Sequence, residues 1–91
     1  MLQEDRNKLS DNVLDQKRAV DSLREEIEAV NFYHQRAEAC TDPELKKILL
    51  HNANEEKEHA AMLIEWLRRN DAEFEHELKD WLFTDKEFKH D

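Results

Sequence analysis

Glycine is absent from this chain, and proline and cysteine occur once each. Each scarcity closes off a class of protein. Without glycine there is no phosphate-cradling loop, whose tight turn needs a residue lacking Cβ, and hairpin turns at positive φ lose their preferred occupant. A single thiol, Cys40, builds no intrachain disulfide framework and suits a reducing, cytoplasmic interior. It reads as a small, half-buried residue near a helix end rather than a nucleophile. No apolar run approaches the ~20 residues that span a bilayer, and the opening eight residues are polar rather than signal-like. Basic residues are outnumbered, 14 against 23 acidic, for a formal net charge of −9. That charge repels phosphate backbones and anionic lipid while concentrating metal cations at the surface, so neither nucleic acid nor membrane is an expected partner.

What is present favours long helices. Charged residues make up 41% of the chain and hydrophobic ones 38%, a large polar surface over a small core. A chain of 91 residues leaves much apolar surface uncovered unless it self-associates. Thr41, Asp42, Pro43 and Glu44 combine a capping residue, a proline suited to the first helical position and a glutamate able to close a capping box. Asn70 and Asp71 repeat the logic: asparagine tolerates the left-handed end of one helix, and aspartate caps the next. The expected fold is all-α: an antiparallel hairpin of helices over about 11–40 and 43–70, then a short C-terminal helix over 72–82. Residues 11–82 form one domain, with a flexible N-terminal segment at 1–10 and a frayed tail at 83–91.

Apolar residues at Leu9, Val13, Val20, Leu23, Ile27 and Val30 mark the expected seam of the first helix. The same three-and-four spacing runs through Leu45, Leu49, Asn52, Glu56, His59, Leu63 and Trp66 in the second. The middle of that seam is polar, and an unpaired carboxylate in a bundle costs several kcal/mol or takes up a proton. Glutamate and histidine three residues apart share a helical face and can reach one metal ion. The spacing occurs three times, at Glu56 and His59, Glu73 and His76, and Glu87 and His90. Only the first coincides with the expected core register. Glu26 lies at the edge of the first helix's inward stripe, seven residues before Tyr33. His34 and His51 read as surface or interface residues, and Trp66 and Trp81 as core or interface packing.

Ferritin-like di-iron bundles draw one glutamate from each of two helices and a Glu-x-x-His pair from each of two others. Glu26, Glu56 and His59 are half of that set, which a two-fold axis would complete, so a four-helix bundle forms only on dimerisation. The spacing alone leaves a second reading open: a non-catalytic acidic metal-binding or scaffold oligomer, in which the same polar layer fixes helix register.

Longer stretches carry a family resemblance. Glu-Glu-Ile-Glu-Ala-Val-Asn-Phe-Tyr-His-Gln-Arg from Glu25, Thr-Asp-Pro-Glu-Leu from Thr41 and His-Asn-Ala-Asn-Glu-Glu-Lys-Glu-His-Ala-Ala-Met from His51 closely resemble the encapsulated ferritin-like proteins. Glu-Trp-Leu-Arg-Arg-Asn-Asp from Glu65 and Trp-Leu-Phe-Thr from Trp81 extend the match. The resemblance implies dimers closing into an annular homodecamer and ferroxidase activity that turns Fe(II) into Fe(III) with dioxygen. It implies Glu26, Glu56 and His59 as iron ligands, two iron ions per dimer, Tyr33 beside the centre, and Glu25 and Glu28 as an outer, metal-attracting site. It also implies iron storage in the cytoplasm, inside a nanocompartment formed by an encapsulin shell protein. Two departures stand out: Phe32 occupies the place usual for tryptophan, and no apolar docking peptide is visible in Asp85 to Asp91.

Overall fold

A computed structural model describes residues 1–89 of the chain. Its main elements are α1 (Asp11–Ala39), α2 (Pro43–Asn70) and α3 (Ala72–Trp81), preceded by a short 3-10 turn at Arg6–Lys8. There are no strands among the described residues.

Each helix start is fixed by one side chain that accepts an otherwise orphaned N–H. Ser10 Oγ accepts from Val13 N at 3.1 Å, Asp42 Oδ2 from Leu45 N at 2.8 Å, and Asp71 Oδ1 from Phe74 N at 3.0 Å. Pro43 begins α2, where its missing N–H has no intrahelical role. Asn70 departs from the left-handed end expected of it. It closes α2 in helical conformation, its side-chain amide donating to the Trp66 carbonyl at 2.9 Å, while extended Asp71 makes the break. The left-handed position among the described residues is Phe83, at φ 57.

Folding back at Cys40, Thr41 and Asp42 lays α1 and α2 side by side, and α3 packs only on α2. The molecule is a slab of 50 × 38 × 20 Å with a radius of gyration of 17.1 Å, against about 12 Å for a compact chain of this length.

The seam between α1 and α2 differs from the one expected. Buried and half-buried positions run Ala19, Leu23, Glu26, Val30, Tyr33, Ala37 on α1 and Leu49, Ala53, Glu56, Ala60, Leu63, Leu67 on α2. Val13, Val20 and Ile27, expected inside, are exposed, Ile27 by 53%. On α2 the buried residues Ala53, Ala60 and Leu67 each lie one residue beyond an expected one, of which Asn52 and Trp66 are half-buried and His59 is exposed. The cause is steric: alanines at Ala19, Ala37, Ala53 and Ala60 let the backbones approach closely, and close approach buries more than bulkier side chains held further apart. The larger apolar residues are left as a stripe a quarter-turn away on α1, with Leu45, Ile48 and Met62 exposed on α2.

An ionic cluster at the end of α2 reaches α3 through one pair. Arg68 donates to both oxygens of Glu65, at 2.7 Å and 2.8 Å, and reaches Glu75 on α3 at 3.1 Å. Arg69 adds a bond to Glu65 at 2.7 Å. The hydrogen bonds from Arg68 and then Arg69 pull the Glu65 carboxyl down to about 2. Beyond α3, Phe88 stacks on Trp81 with centroids 5.5 Å apart, and Lys86 pairs with Asp80 at 2.7 Å.

Candidate metal centre

Glu26 and Glu56 occupy mid-helix positions in the two facing seams, where the 4-3-4 spacing would otherwise call for alanine or leucine. Their placement follows from the hairpin: with α1 rising and α2 descending from one short connector, residues equally far from that connector come level. His59 lies one turn beyond Glu56 on α2 and leans off the seam, with 47% of its side chain exposed against 24% for each glutamate. The imidazole expected in the core therefore sits on the flank of the single hairpin.

The three side chains converge. His59 Nδ1 is 3.4 Å from Glu26 Oε2 and 3.6 Å from Glu56 Oε2, and one donor atom from each lies within 4.8 Å of the others. Donors bound at about 2.1 Å to one ion lie about 3–4 Å apart, so these separations suit a shared cation. Glu26 Oε2 is buried and has no hydrogen-bond partner. Buried carboxylate oxygens are ordinarily satisfied, and an orphan aimed at a second carboxylate and an imidazole asks for a positive charge between them. Hard carboxylate oxygens with one borderline nitrogen match iron, manganese or zinc better than copper or calcium.

The other expected site residues are placed less tightly. Tyr33 is half-buried in the α1 seam, two turns beyond Glu26, while Glu25 and Glu28 stand exposed on the same helix. Neither belongs to the three-residue cluster. Glu73 and His76 are both exposed on α3. Glu87 is exposed, and its partner His90 lies outside the described residues. His51 is an exposed residue 3.5 Å from Glu55, one helical turn away.

Sequence reasoning missed Arg36. Its guanidinium carbon lies 5.6 Å from the Tyr33 ring centroid and 5.7 Å from that of Phe32. The signal was available: Arg36 follows the two aromatics by three and four residues, the spacing at which helical side chains meet.

The EncFtn-like family model matches residues 1–85 of the chain. An encapsulated ferritin-like protein of Rhodospirillum rubrum is 54% identical over 77 residues, 85% of this chain and 55% of the relative. A ferritin-like protein of Thermotoga maritima is 58% identical over 69 residues, 76% of this chain and 60% of the relative. The matched part thus spans little more than half the length of these curated relatives. The crystal structure of protein NE0167 from Nitrosomonas europaea superposes with a TM-score of 0.91 at 58% identity, covering 98% of both chains.

Proposed function

The chain belongs to the EncFtn-like family, and from that membership we propose that it is a ferroxidase whose di-iron centre is shared between two copies of the chain. The observation that carries this reading is the Glu26, Glu56 and His59 cluster, with its orphaned carboxylate oxygen, held on one hairpin. Three donors leave one first-row ion short of ligands, whereas two such half-sets supply the four carboxylates and two imidazoles of a ferritin-like centre. Pairing is supported by surface area. A compact protein of 11.0 kDa exposes about 5,600 Å², and this one exposes 7648 Å², with Ile48 and Met62 among the uncovered apolar side chains.

Fe(II) is the substrate, and each ion gives up one electron, with dioxygen as the acceptor. Glu26 and Glu56 bring anionic oxygens that stabilise the higher charge of Fe(III), and the His59 nitrogen holds the ion from the exposed flank. Tyr33, two helical turns from Glu26 on the α1 seam, flanks the centre once the chains are paired, and Glu25 and Glu28 attract Fe(II) to the outer surface of α1. The paired chains close into a homodecameric ring, which has no interior large enough to store mineral. Storage falls to an encapsulin shell in the cytoplasm, a partner supported by the name of the Rhodospirillum rubrum relative. No helix among the described residues is long and apolar enough to cross a membrane.

The test is anaerobic loading with Fe(II) followed by air, recording Fe(III) absorbance and iron bound per chain for the wild type and Glu56→Ala. About one iron per chain and oxidation well above both variant and protein-free control are expected. Background oxidation in all three would replace the ferroxidase with a scaffold whose polar layer only sets register.

A further inference from the structure

Arg36 is held by aromatic rings rather than by a carboxylate. Acidic residues outnumber basic ones 23 to 14, and Lys17, Arg18, Arg24, Arg68, Arg69, Lys79 and Lys86 all lie within 4.0 Å of a carboxylate. Arg36, like Arg6, Lys8, Lys46, Lys47 and Lys57, joins no such pair among the described residues, but it differs from them in lying over two aromatic rings. Its guanidinium instead lies 5.6 Å from the Tyr33 ring and 5.7 Å from the Phe32 ring. A guanidinium within about 6 Å of an aromatic centroid is held there by the ring's electron-rich face.

The surroundings turn this contact into a constraint on Tyr33. Ala37, the residue after Arg36, is 1% exposed, so this turn of α1 is pinned against the hairpin partner and the backbone beneath both side chains has little freedom. Tyr33 is half-buried on the seam face, where seven-residue spacing aligns it with Glu26. Phe32 lies on the other side of the same turn, and a planar fork touching both rings resists rotation of either.

We propose that Arg36 is a positioning residue for Tyr33, its guanidinium fixing the phenol ring on the α1 seam two helical turns from Glu26. The inference deepens the ferroxidase reading and rests on it for the catalytic consequence. The contact itself stands on the metal-free geometry. Arg36 acts through Tyr33: it touches no residue of the cluster, so its removal leaves Fe(II) binding intact and alters the step in which a well-placed phenol matters.

The chain has one tyrosine, so 3-fluorotyrosine incorporation gives a single fluorine resonance that reports on Tyr33 alone. In metal-free protein, Arg36→Met, which keeps side-chain length but removes the charge, should shift or broaden that resonance while far-UV circular dichroism holds. Arg36→Lys should return it toward the wild-type position, because any cation at the ring face polarises it. In iron oxidation assays Arg36→Met should lower kcat about tenfold with KM unchanged, the expected cost of a misplaced group, and Arg36→Lys should recover most of it. A resonance indifferent to Arg36→Met overturns the contact, whatever happens to turnover. A moved resonance with unchanged kcat overturns the positioning role. Absence of oxidation by the wild type overturns the ferroxidase reading instead, and the resonance still decides the contact.

Discussion

Glu26 and His59 meet across the hairpin with 3.4 Å between Oε2 and Nδ1, although α1 and α2 bring them from opposite directions. The glutamate oxygen is buried and unsatisfied, and the histidine is close without bonding to it. Stability and metal binding therefore pull against each other at this position.

Glu26→Leu should raise the stability of metal-free protein by about 1–3 kcal/mol, because it replaces a half-buried carboxylate, one of whose oxygens is buried and unpaired, with an apolar side chain. It should also abolish binding of Fe(II) or Zn(II) at the cluster. Thermal melts without metal, set beside titration calorimetry, check both halves; a destabilised variant would mean that the orphan oxygen is satisfied in the assembled protein.

A centre completed by two chains links metal binding to association by mass action. Sedimentation of dilute protein should show the dimer fraction rising with added Zn(II), and the rise should vanish in His59→Ala. Assembly indifferent to metal would uncouple the two.

The outer acidic pair should influence arrival rather than chemistry. Glu25→Ala with Glu28→Ala should slow Fe(II) uptake, more at low salt than at high salt, while leaving oxidation at saturating iron near wild type. Stopped-flow mixing at several iron concentrations separates the two, and equal loss of both rates would remove the role.

Close backbone approach at the seam depends on the alanines. Ala53, fully buried, should tolerate Leu poorly: overpacking costs about 1–3 kcal/mol, and spreading the helices should weaken metal binding as well. Denaturant melts and calorimetry on Ala53→Leu report the two effects.

The Glu65 pairs set an acid limit on the last turns of α2, from which Arg68 reaches Glu75 on α3. The folded-state Glu65 carboxyl titrates near 2 against an ordinary 4.5, so the unfolded state binds the proton more readily. Its contribution is complete above about 4.5 and fades as pH falls toward 2. Acid titration followed by tryptophan fluorescence should show the end of α2 loosening in that window, and Glu65→Gln should flatten the pH dependence there.

Much of the fold was legible in the chain because the capping chemistry is local. Asp42 and Asp71 each act through a backbone N–H three residues on, so sequence spacing alone specifies them. The seam was legible only to within one residue. Hydrophobicity marks Val20 and Ile27 as inside, whereas the packing prefers alanine, and which face a helix turns to its own partner depends on how closely two backbones can come, a property of the pair. The Glu56 and His59 spacing pointed to metal chemistry, but convergence with Glu26 requires knowing which turns of α1 and α2 stand level. Arg36 does not stand out in the sequence, because arginine in a glutamate-rich chain is expected to find a carboxylate rather than a ring.

The connector at Cys40, Thr41 and Asp42 fixes that level. Glu26 lies fourteen residues before Cys40 and Glu56 fourteen after Asp42, so each arm from turn to carboxylate measures about 21 Å. The hairpin behaves as a pair of callipers whose jaws close on the same point only while both arms keep their length. Deleting one residue within either arm swings its carboxylate by about 100° around the helix axis and draws it about 1.5 Å toward the turn. Length variation in this molecule should therefore be confined to its two ends.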